Sequence, residues 1–174
     1  MMHTLIDMSD IKRAQINLTN VSQLTLFANR FAKLLEWQMP LFSEHPWIIF
    51  LDGDLGTGKT TFVRAVLHAM GEQGKIKSPT YTIIETYTIK SWQILHADLY
   101  RLADPEEWHF LGIDEYLNEK TIFFIEWPQK GAKMLPKPDL LLHYTFLPQG
   151  RALELTAFSQ RSTLLLESVH EVYM

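Results

Sequence analysis

The segment from Gly53 to Thr60 carries the clearest chemical signal in the chain. It reads GDLGTGKT and fits G-x-x-x-x-G-K-[ST], in which glycines let successive backbone N–H groups point at phosphate oxygens. Lys59 would bring a positive charge to the β and γ phosphates, and the Thr60 hydroxyl would ligate Mg²⁺. The motif predicts a nucleotide-binding P-loop; the alternative is an ordinary glycine-rich turn. The predicted nucleotide-binding residues are Gly53, Asp54, Leu55, Gly56, Thr57, Gly58, Lys59, Thr60 and Thr61.

Two carboxylates that end apolar stretches are candidates for chemistry beside the phosphates. Glu126 closes the run TIFFIE, where P-loop enzymes place an acid near the metal. The alternative for Glu126 is a rim carboxylate that merely starts a loop. Asp98 closes the run QILHA, and it either binds a metal-held water, orients the attacking water or caps the next turn. Thr60 and Glu126 are therefore the predicted metal ligands.

Other metal and nucleophile chemistries are excluded or weakly supported. The chain contains no cysteine, which rules out disulfides, thiolate zinc sites and cysteine nucleophiles. His96 and Asp98 share one face of a predicted strand, but two residues do not make a metal cage, and such side chains are more often satisfied polar groups. The guanine-reading pattern N-K-x-D is also missing from the sequence, which favours ATP over GTP.

The apolar pattern predicts the elements that must position these residues. A buried strand precedes the glycines and a helix follows them, so the positive end of the helix dipole would face the phosphates. In chain order we predict a helix over 21–37, a strand over 47–51, a helix over 59–70, strands over 80–89 and 92–98, a helix beginning at Asp104, a strand over 121–126, a loop over 128–139, a hairpin of strands 140–146 and 152–158, and a closing helix within 159–174. This order indicates an α/β fold, a P-loop NTPase three-layer sandwich with a central mixed, largely parallel sheet and a C-terminal hairpin.

Size and composition are those of one globular domain. The chain has 174 residues, 47% of them hydrophobic and 21% charged, which excludes wholesale disorder. We predict a single domain over 1–174, with residues 1–15 as a loose lead-in. The apolar runs are far shorter than the roughly 20 residues of a membrane span, and the N-terminus lacks a signal-peptide pattern. A cytoplasmic protein without membrane contact is expected.

The charge balance bears on nucleic-acid binding. The formal net charge is −4, from 16 Lys and Arg against 20 Asp and Glu. Proteins that bind nucleic acid on their own usually carry a basic excess. We therefore expect no binding to DNA, and any contact with RNA to be small or made through a partner.

Four segments, taken together and in this order, resemble the TsaE (YjeE) family. They are the P-loop, KSPTYT over 77–82, HADLYRL over 96–102 and IEWP over 125–128. The P-loop alone is generic, whereas the other three are specific in combination, and the fit runs from about residue 20 to residue 158. The resemblance implies a small bacterial P-loop ATPase needed to make threonylcarbamoyladenosine in tRNA. It also implies a TsaB–TsaD partner pair, in which TsaD performs the transfer, so that tRNA is met only through the complex.

The resemblance further implies roles for single residues. Thr80 lies in a segment similar to the family's switch-like loop near the γ-phosphate, and Asp98 matches an acid implicated in hydrolysis. With Lys59 and Glu126 they make up the predicted catalytic set. Thr60 and Glu126 also match the family's magnesium ligands.

Two further positions are carried over from the family pattern. Trp127 matches a family tryptophan next to the site. Arg151 follows Gly150 in the late hairpin turn and matches a glycine–arginine pair, which is expected near the base or ribose; the alternative is a solvated turn arginine.

The sequence thus predicts a magnesium-dependent ATPase that is slow without its partners. Lys59 is the one cation within the P-loop, and Arg101 is the other that stands beside a motif. Two alternatives stay open. A small-molecule P-loop kinase usually places several arginines in a lid, whereas the six arginines of this chain are scattered. A nucleotide-gated binding module with incidental slow hydrolysis would carry the same motifs.

Overall fold

The chain folds around a mixed β-sheet, which the computed structural model describes together with its helices over residues 12–41, 45–118 and 120–173. In chain order the strands are β1 (Arg13–Leu18), β2 (Trp47–Gly53), β3 (Ile84–Ile89), β4 (Trp92–Asp98), β5 (Thr121–Glu126), β6 (Leu140–Phe146) and β7 (Arg151–Ala157). Across the sheet the order is β1-β7-β6-β2-β5-β4-β3. The central strands β6, β2, β5 and β4 run parallel, and the outer pairings are antiparallel. The predicted α/β fold, with a mixed sheet that is parallel at its centre and a C-terminal hairpin, is confirmed.

Helices cover one face of this sheet. These helices are α1 (Val21–Gln38), α2 (Lys59–Met70) and α4 (Gln160–Tyr173), and a further single turn, α3 (Pro128–Gly131), follows β5 and contacts the 3₁₀ segment Pro105–Leu111 of the opposite face. Phe27 and Phe31 of α1 pack on Phe62 of α2, with ring centroids 5.8 and 5.3 Å apart. This apolar core also contains Ile49 and Phe124 of the sheet and Leu165 of α4. None of the helices in the described part of the chain is long and apolar enough to cross a membrane.

The other face of the sheet carries a second, smaller core. Residues that alternate with those of the first core, such as Phe123 and Ile125, point to this side because successive strand residues face opposite ways. Two short 3₁₀ segments, Pro105–Leu111 and Ile113–Tyr116, cover them, and Trp108 stacks on Phe123 with ring centroids 5.7 Å apart. The chain is thus layered on both sides of the sheet.

The parallel register brings the carboxyl ends of three strands, with the candidate site residues that follow or end them, together on one side of the sheet. Leu51 of β2 and Asp98 of β4 both lie beside Glu126 of β5. The glycine loop leaves β2 at this edge, and α2 starts at Lys59. Ligand sites in parallel sheets form at the carboxyl ends of the strands, so the fold places every predicted catalytic segment where a site is expected.

The bounds of α2, β4 and β5 agree with the sequence prediction, but the N-terminal prediction is partly wrong. Residues 13–15 were expected in a loose lead-in and instead begin β1, which pairs with β7 along its whole length. The strand lies at the sheet edge, and most of its side chains are exposed or half-buried, so its sequence RAQINL lacks an apolar run. Residues 1–11 of the predicted lead-in lie outside the described residues.

The strand predicted over 80–89 begins four residues late, at Ile84. The Ile83 N–H donates to the Pro79 carbonyl at 2.7 Å, which closes a turn over 79–83. Thr and Tyr favour strands, and this local bond overrides that preference. Thr80 therefore lies on a turn rather than in the sheet.

Two other predicted segments differ in their local form. The loop predicted over 128–139 contains the turn α3 and a 3₁₀ turn over Ala132–Met134. The helix predicted from Asp104 is 3₁₀ rather than α, although Asp104 caps it and accepts from the Glu106 N–H at 2.8 Å. The closing helix predicted within 159–174 is confirmed as α4.

Candidate functional site

The glycine loop owes its shape to backbone angles that side chains rarely adopt. Gly53 has φ +133° and Gly58 has φ +108°. A Cβ atom at Gly53 would lie 2.5 Å from the Tyr144 carbonyl oxygen, and one at Gly58 would lie 2.8 Å from Leu24 Cδ2. Both positions therefore require glycine, for space as well as for conformation.

Arg151 supports this loop from outside the cavity. Its guanidinium Nη1 donates to the Thr57 carbonyl oxygen and occupies the space where a Gly58 side chain would begin. Arg151 is not among the described residues that line the cavity in front of the loop. Its expected contact with the base or ribose stays a prediction, and the contact present is with the P-loop backbone.

Lys59 lies folded back onto the loop that precedes it. Its side chain is 4% exposed, and Nζ donates to the carbonyl oxygens of Gly53 at 2.5 Å and Asp54 at 2.9 Å. The ammonium also lies 4.2 Å from the centre of a Trp127 ring. Burial lowers the pKa of Lys59, and the nearby carboxylates, Glu126 first, oppose that shift. The ammonium is thus desolvated and stands at the wall of the cavity.

Thr60 and Glu126 form the pair predicted to hold a metal. The Thr60 hydroxyl donates to Glu126 Oε1 at 2.8 Å and to Oε2 at 3.0 Å. Glu126 is 2% exposed at the end of β5. A hydroxyl and a carboxylate in contact are the hard oxygen donors that Mg²⁺ takes together with phosphate and water oxygens. The residues present therefore fit a magnesium site in which phosphate supplies further ligands.

Asp98 makes the turn-cap bond that the sequence allowed and a second bond that the sequence did not predict, and its expected action on water stays a prediction. Its Oδ2 accepts from the Thr80 hydroxyl at 3.1 Å, and its Oδ1 accepts from the Tyr100 N–H at 3.1 Å. Thr80 in turn lies 2.8 Å from the Ser78 hydroxyl. Asp98 thus caps a turn with one oxygen and ties the Thr80 segment to the site with the other.

Two residues with strained backbone flank the site. Ile83, at the end of the Thr80 turn, has φ +66°, and Trp127, directly after Glu126, has φ +58°. Left-handed backbone is unfavourable for a β-branched or bulky residue, and such strain clusters at binding and catalytic sites.

His96 makes a buried polar contact with Glu126 that the sequence did not predict. It is 0% exposed, and its Nε2 lies 2.7 Å from Glu126 Oε1. The alternation of side chains along β4 placed His96 and Asp98 on one face, but only the pairing of β4 with β5 brings Glu126 beside His96. The expectation of a fully satisfied histidine is half right, because no partner to Nδ1 is present among the described residues.

A cavity of about 360 Å³ opens in front of these groups. The predicted residues that line it are Leu55, Gly56, Gly58, Lys59, Thr60, Thr61, Thr80, Asp98 and Glu126. Of the other predicted residues, Gly53 and Asp54 accept from Lys59 behind the lining, and the Thr57 hydroxyl donates to the Asp54 carbonyl at 2.8 Å.

An aromatic and cationic rim borders the cavity. Trp127 lines it with Tyr100, and the two ring centroids are 5.0 Å apart. Arg101 also lines it and lies 4.5 Å from the ring centre of Tyr81, which is 82% exposed. Tyr100 was missed as a site residue; its place directly after Asp98 and Leu99 was the available signal.

The site and its fold match known proteins. The sequence profile of the family described as "Threonylcarbamoyl adenosine biosynthesis protein TsaE" matches residues 18–152. The chain belongs to the TsaE family. All four predicted catalytic residues of this TsaE-family chain lie inside the matched range, as does Arg151, whereas α4 lies beyond it.

Individual relatives agree with this placement. A Haemophilus influenzae protein named tRNA threonylcarbamoyladenosine biosynthesis protein TsaE is 46% identical over 131 residues, which are 75% of this chain and 81% of that protein. A Bacillus subtilis protein of the same name is 32% identical over 123 residues, covering 70% and 77%. The crystal structure of Bacillus subtilis YdiB superposes with a TM-score of 0.70 at 25% identity, over 92% of this chain and 96% of that one. The resemblance to TsaE predicted from the sequence motifs is confirmed.

Proposed function

We propose that this TsaE-family chain binds ATP with Mg²⁺ and hydrolyses it in support of threonylcarbamoyladenosine formation in tRNA. The observation that carries the proposal is the convergence of Lys59, Thr60, Asp98 and Glu126 on one cavity in front of a glycine loop. The names of the relatives supply the pathway, and the geometry supports phosphate chemistry within it.

The P-loop and Lys59 would hold the phosphates. The loop wraps ahead of α2, whose first residues Lys59, Thr60 and Thr61 line the same cavity, so the positive end of the helix dipole lies at the cavity. Lys59 would exchange its two carbonyl acceptors for phosphate oxygens, which are stronger partners because they are charged. Burial, which lowers the pKa of Lys59, already removes part of the hydration of the ammonium, so less hydration is lost when it meets a phosphate.

Thr60 and Glu126 would hold the metal, and Asp98 would act on water. Mg²⁺, when bound, supplies positive charge to the phosphate oxygens. Within the described residues no cluster of three or more His, Cys, Asp or Glu side chains could hold a metal, so phosphate and water would complete the shell. Asp98 would orient the attacking water through the carboxylate oxygens that now bind Thr80 and the Tyr100 N–H.

The arginine positions favour an ATPase over a small-molecule kinase. Arg101 is the one arginine among the described residues that line the cavity. Its guanidinium stacks on the Tyr81 ring. Arg151 is engaged with the P-loop backbone, and Arg161 pairs with Asp139 at 2.7 Å, away from the cavity lining. A lid of several arginines, typical of such kinases, is not formed by the described residues.

We further propose that hydrolysis is slow in the isolated chain and is accelerated by a TsaB–TsaD-type complex. A cation supplied by a partner raises the rate of related P-loop switches by about 10³–10⁵. The exposed Tyr81–Arg101 contact at the cavity rim is where such a partner could reorder the site. The net charge of −4 also makes tRNA a poor partner for the chain alone.

The test is steady-state hydrolysis of ATP by the lone protein, then with the TsaB–TsaD pair, then with tRNA added. We expect a slow, Mg²⁺-dependent rate that rises at least about tenfold with the pair, and Lys59→Ala serves as the inactive control. A fast lone enzyme that ignores the pair would point instead to a free-standing phosphohydrolase or kinase.

A further inference from the structure

His96 is a buried polar side chain that the proposed chemistry does not use. It lies on β4 directly beside β5, on the same side of the sheet as Asp98, and is 0% exposed. A buried imidazole in an otherwise apolar core is unfavourable unless it is hydrogen-bonded. The partner that the fold provides is the Glu126 carboxylate, 2.7 Å from Nε2.

The hydrogen bonds of Glu126 show why this contact matters. Among the described residues, His96 and Thr60 are the two side chains bonded to its carboxylate. A metal-bound hydroxyl keeps its proton and can still donate to Glu126, but Thr60 is itself a predicted metal ligand, so its position depends on the same metal. His96 comes from a different strand, is buried and is not a predicted metal ligand, so its bond supports Glu126 independently of the metal.

We propose that His96 is a positioning residue that orients the Glu126 carboxylate for Mg²⁺–ATP. A carboxylate only accepts, so the geometry assigns the shared proton to Nε2 of the imidazole. Nδ1 has no partner among the described residues, so the bond to Glu126 is the one hydrogen bond of a ring that the surrounding buried side chains also hold in place. The bond restrains the side chain at the end of β5, and a restrained ligand loses less freedom when a metal binds. This inference rests on the proposed Mg²⁺–ATP binding.

Three substitutions separate positioning from packing. His96→Gln places an amide N–H at the same number of bonds from Cα as Nε2, so it keeps the donor to Glu126. His96→Asn is also polar, but its amide reaches only as far as Nδ1 and loses the donor. His96→Leu removes all polar atoms at similar volume and gives a second way to lose the bond.

The readout is ATP affinity by calorimetry, measured once with saturating Mg²⁺ and once with EDTA. The ratio of the two dissociation constants reports the metal's share and is independent of turnover. We expect His96→Asn and His96→Leu to lower this ratio by about 10-fold or more, as removal of outer-shell partners does. Metal-free affinity should stay within about twofold, and His96→Gln should keep most of the wild-type ratio.

Every result of this experiment decides between positioning and an alternative. A wild-type ratio near one overturns the proposed magnesium site itself, and the role of His96 with it. A normal wild-type ratio that His96→Asn and His96→Leu leave unchanged overturns the role of His96 alone, as does an equal loss of affinity with and without metal. Should both of these variants fail to fold, His96→Gln decides: a ratio close to wild type supports positioning, and a tenfold loss overturns it.

Discussion

Glu126 and Asp98 lie on neighbouring strands but have different neighbours. Glu126 is hydrogen-bonded to the Thr60 hydroxyl, the other proposed metal ligand, and to His96, the proposed positioning residue. Asp98 is bonded to Thr80 and to the backbone of Tyr100. The two carboxylates should therefore contribute to different steps, Glu126 to metal-dependent binding and Asp98 to turnover.

We predict that Glu126→Gln weakens ATP binding in Mg²⁺ by about tenfold and leaves binding in EDTA almost unchanged, because it removes a charge from the metal shell. Asp98→Asn should bind ATP within about threefold of wild type and lose about 10²-fold or more in turnover. Asp114→Asn, an exposed site outside the cavity lining, is the control. Wild-type turnover in both variants would contradict the two assignments.

Tyr144 gives a prediction on stability and pH. The side chain is 2% exposed, its hydroxyl has no partner among the described residues, and burial raises its pKa well above 10.0. The folded state therefore keeps this proton after the unfolded state releases it. Below pH 10 the Tyr144 proton is bound in both states, and the free energy of unfolding keeps its full value. As the pH rises further the unfolded state releases the proton first, so the free energy of unfolding falls.

We predict that Tyr144→Phe keeps or raises the free energy of unfolding at pH 7, by up to about 1 kcal/mol, because it removes an unsatisfied buried hydroxyl. Above pH 10 the variant should lose stability less steeply than wild type. Urea unfolding at several pH values measures both, with the more exposed Tyr116→Phe as the control. An identical alkaline slope in wild type and Tyr144→Phe would show that the hydroxyl does not titrate as proposed.

At the scale of elements, the P-loop depends on parts of the fold distant in sequence. Leu24 of α1 and Arg151 of β7 both lie against Gly58, and Tyr144 of β6 lies against Gly53. The Arg151 guanidinium also binds the Thr57 carbonyl. The loop is therefore supported from behind by α1, β6 and β7.

We predict that Gly58→Ala lowers ATP affinity at least about tenfold, because the new methyl group meets Leu24 and displaces Arg151 from Thr57. The matched control is Gly112→Ala, where φ is also positive, at +64°, but no atom lies within 4 Å of the new Cβ. That control should cost about 1–2 kcal/mol of stability from backbone strain alone and leave ATP affinity intact. Equal effects of both substitutions on ATP affinity would contradict the bracing.

At the scale of the whole molecule, the sequence predicts the parts that depend on local pattern. The run of apolar residues before Gly53, the glycines and the helix after Lys59 are contiguous, so strand, loop and helix could be placed in advance. Glu126 and Asp98 end apolar runs, and a parallel sheet brings such ends to one edge. The fold class and most of the cavity lining follow from these features.

The remaining features depend on contacts between distant segments, which no local pattern contains. The bond between His96 and Glu126 needs β4 and β5 to be neighbours in register, and the bond between Arg151 and Thr57 needs β7 behind the P-loop. The edge strand over 13–18 has too few apolar residues to stand out, and it is recognised only through its pairing with β7. Sequence patterns identify candidate residues, whereas the packing of distant segments determines which of these residues are in contact.

The most direct test of the central claim is a calorimetric titration of the isolated protein with ATP in Mg²⁺, compared with Lys59→Ala. Removing the ammonium from the phosphates should weaken binding by about 10²-fold or more, as expected for a charge-assisted contact. The fold should persist, because the Lys59 head group lies on loop carbonyls at the cavity wall rather than in the apolar core. The exposed Lys33→Ala is the control and should bind as wild type does. Tight ATP binding by a folded Lys59→Ala protein would contradict the assignment of this cavity as a nucleotide site.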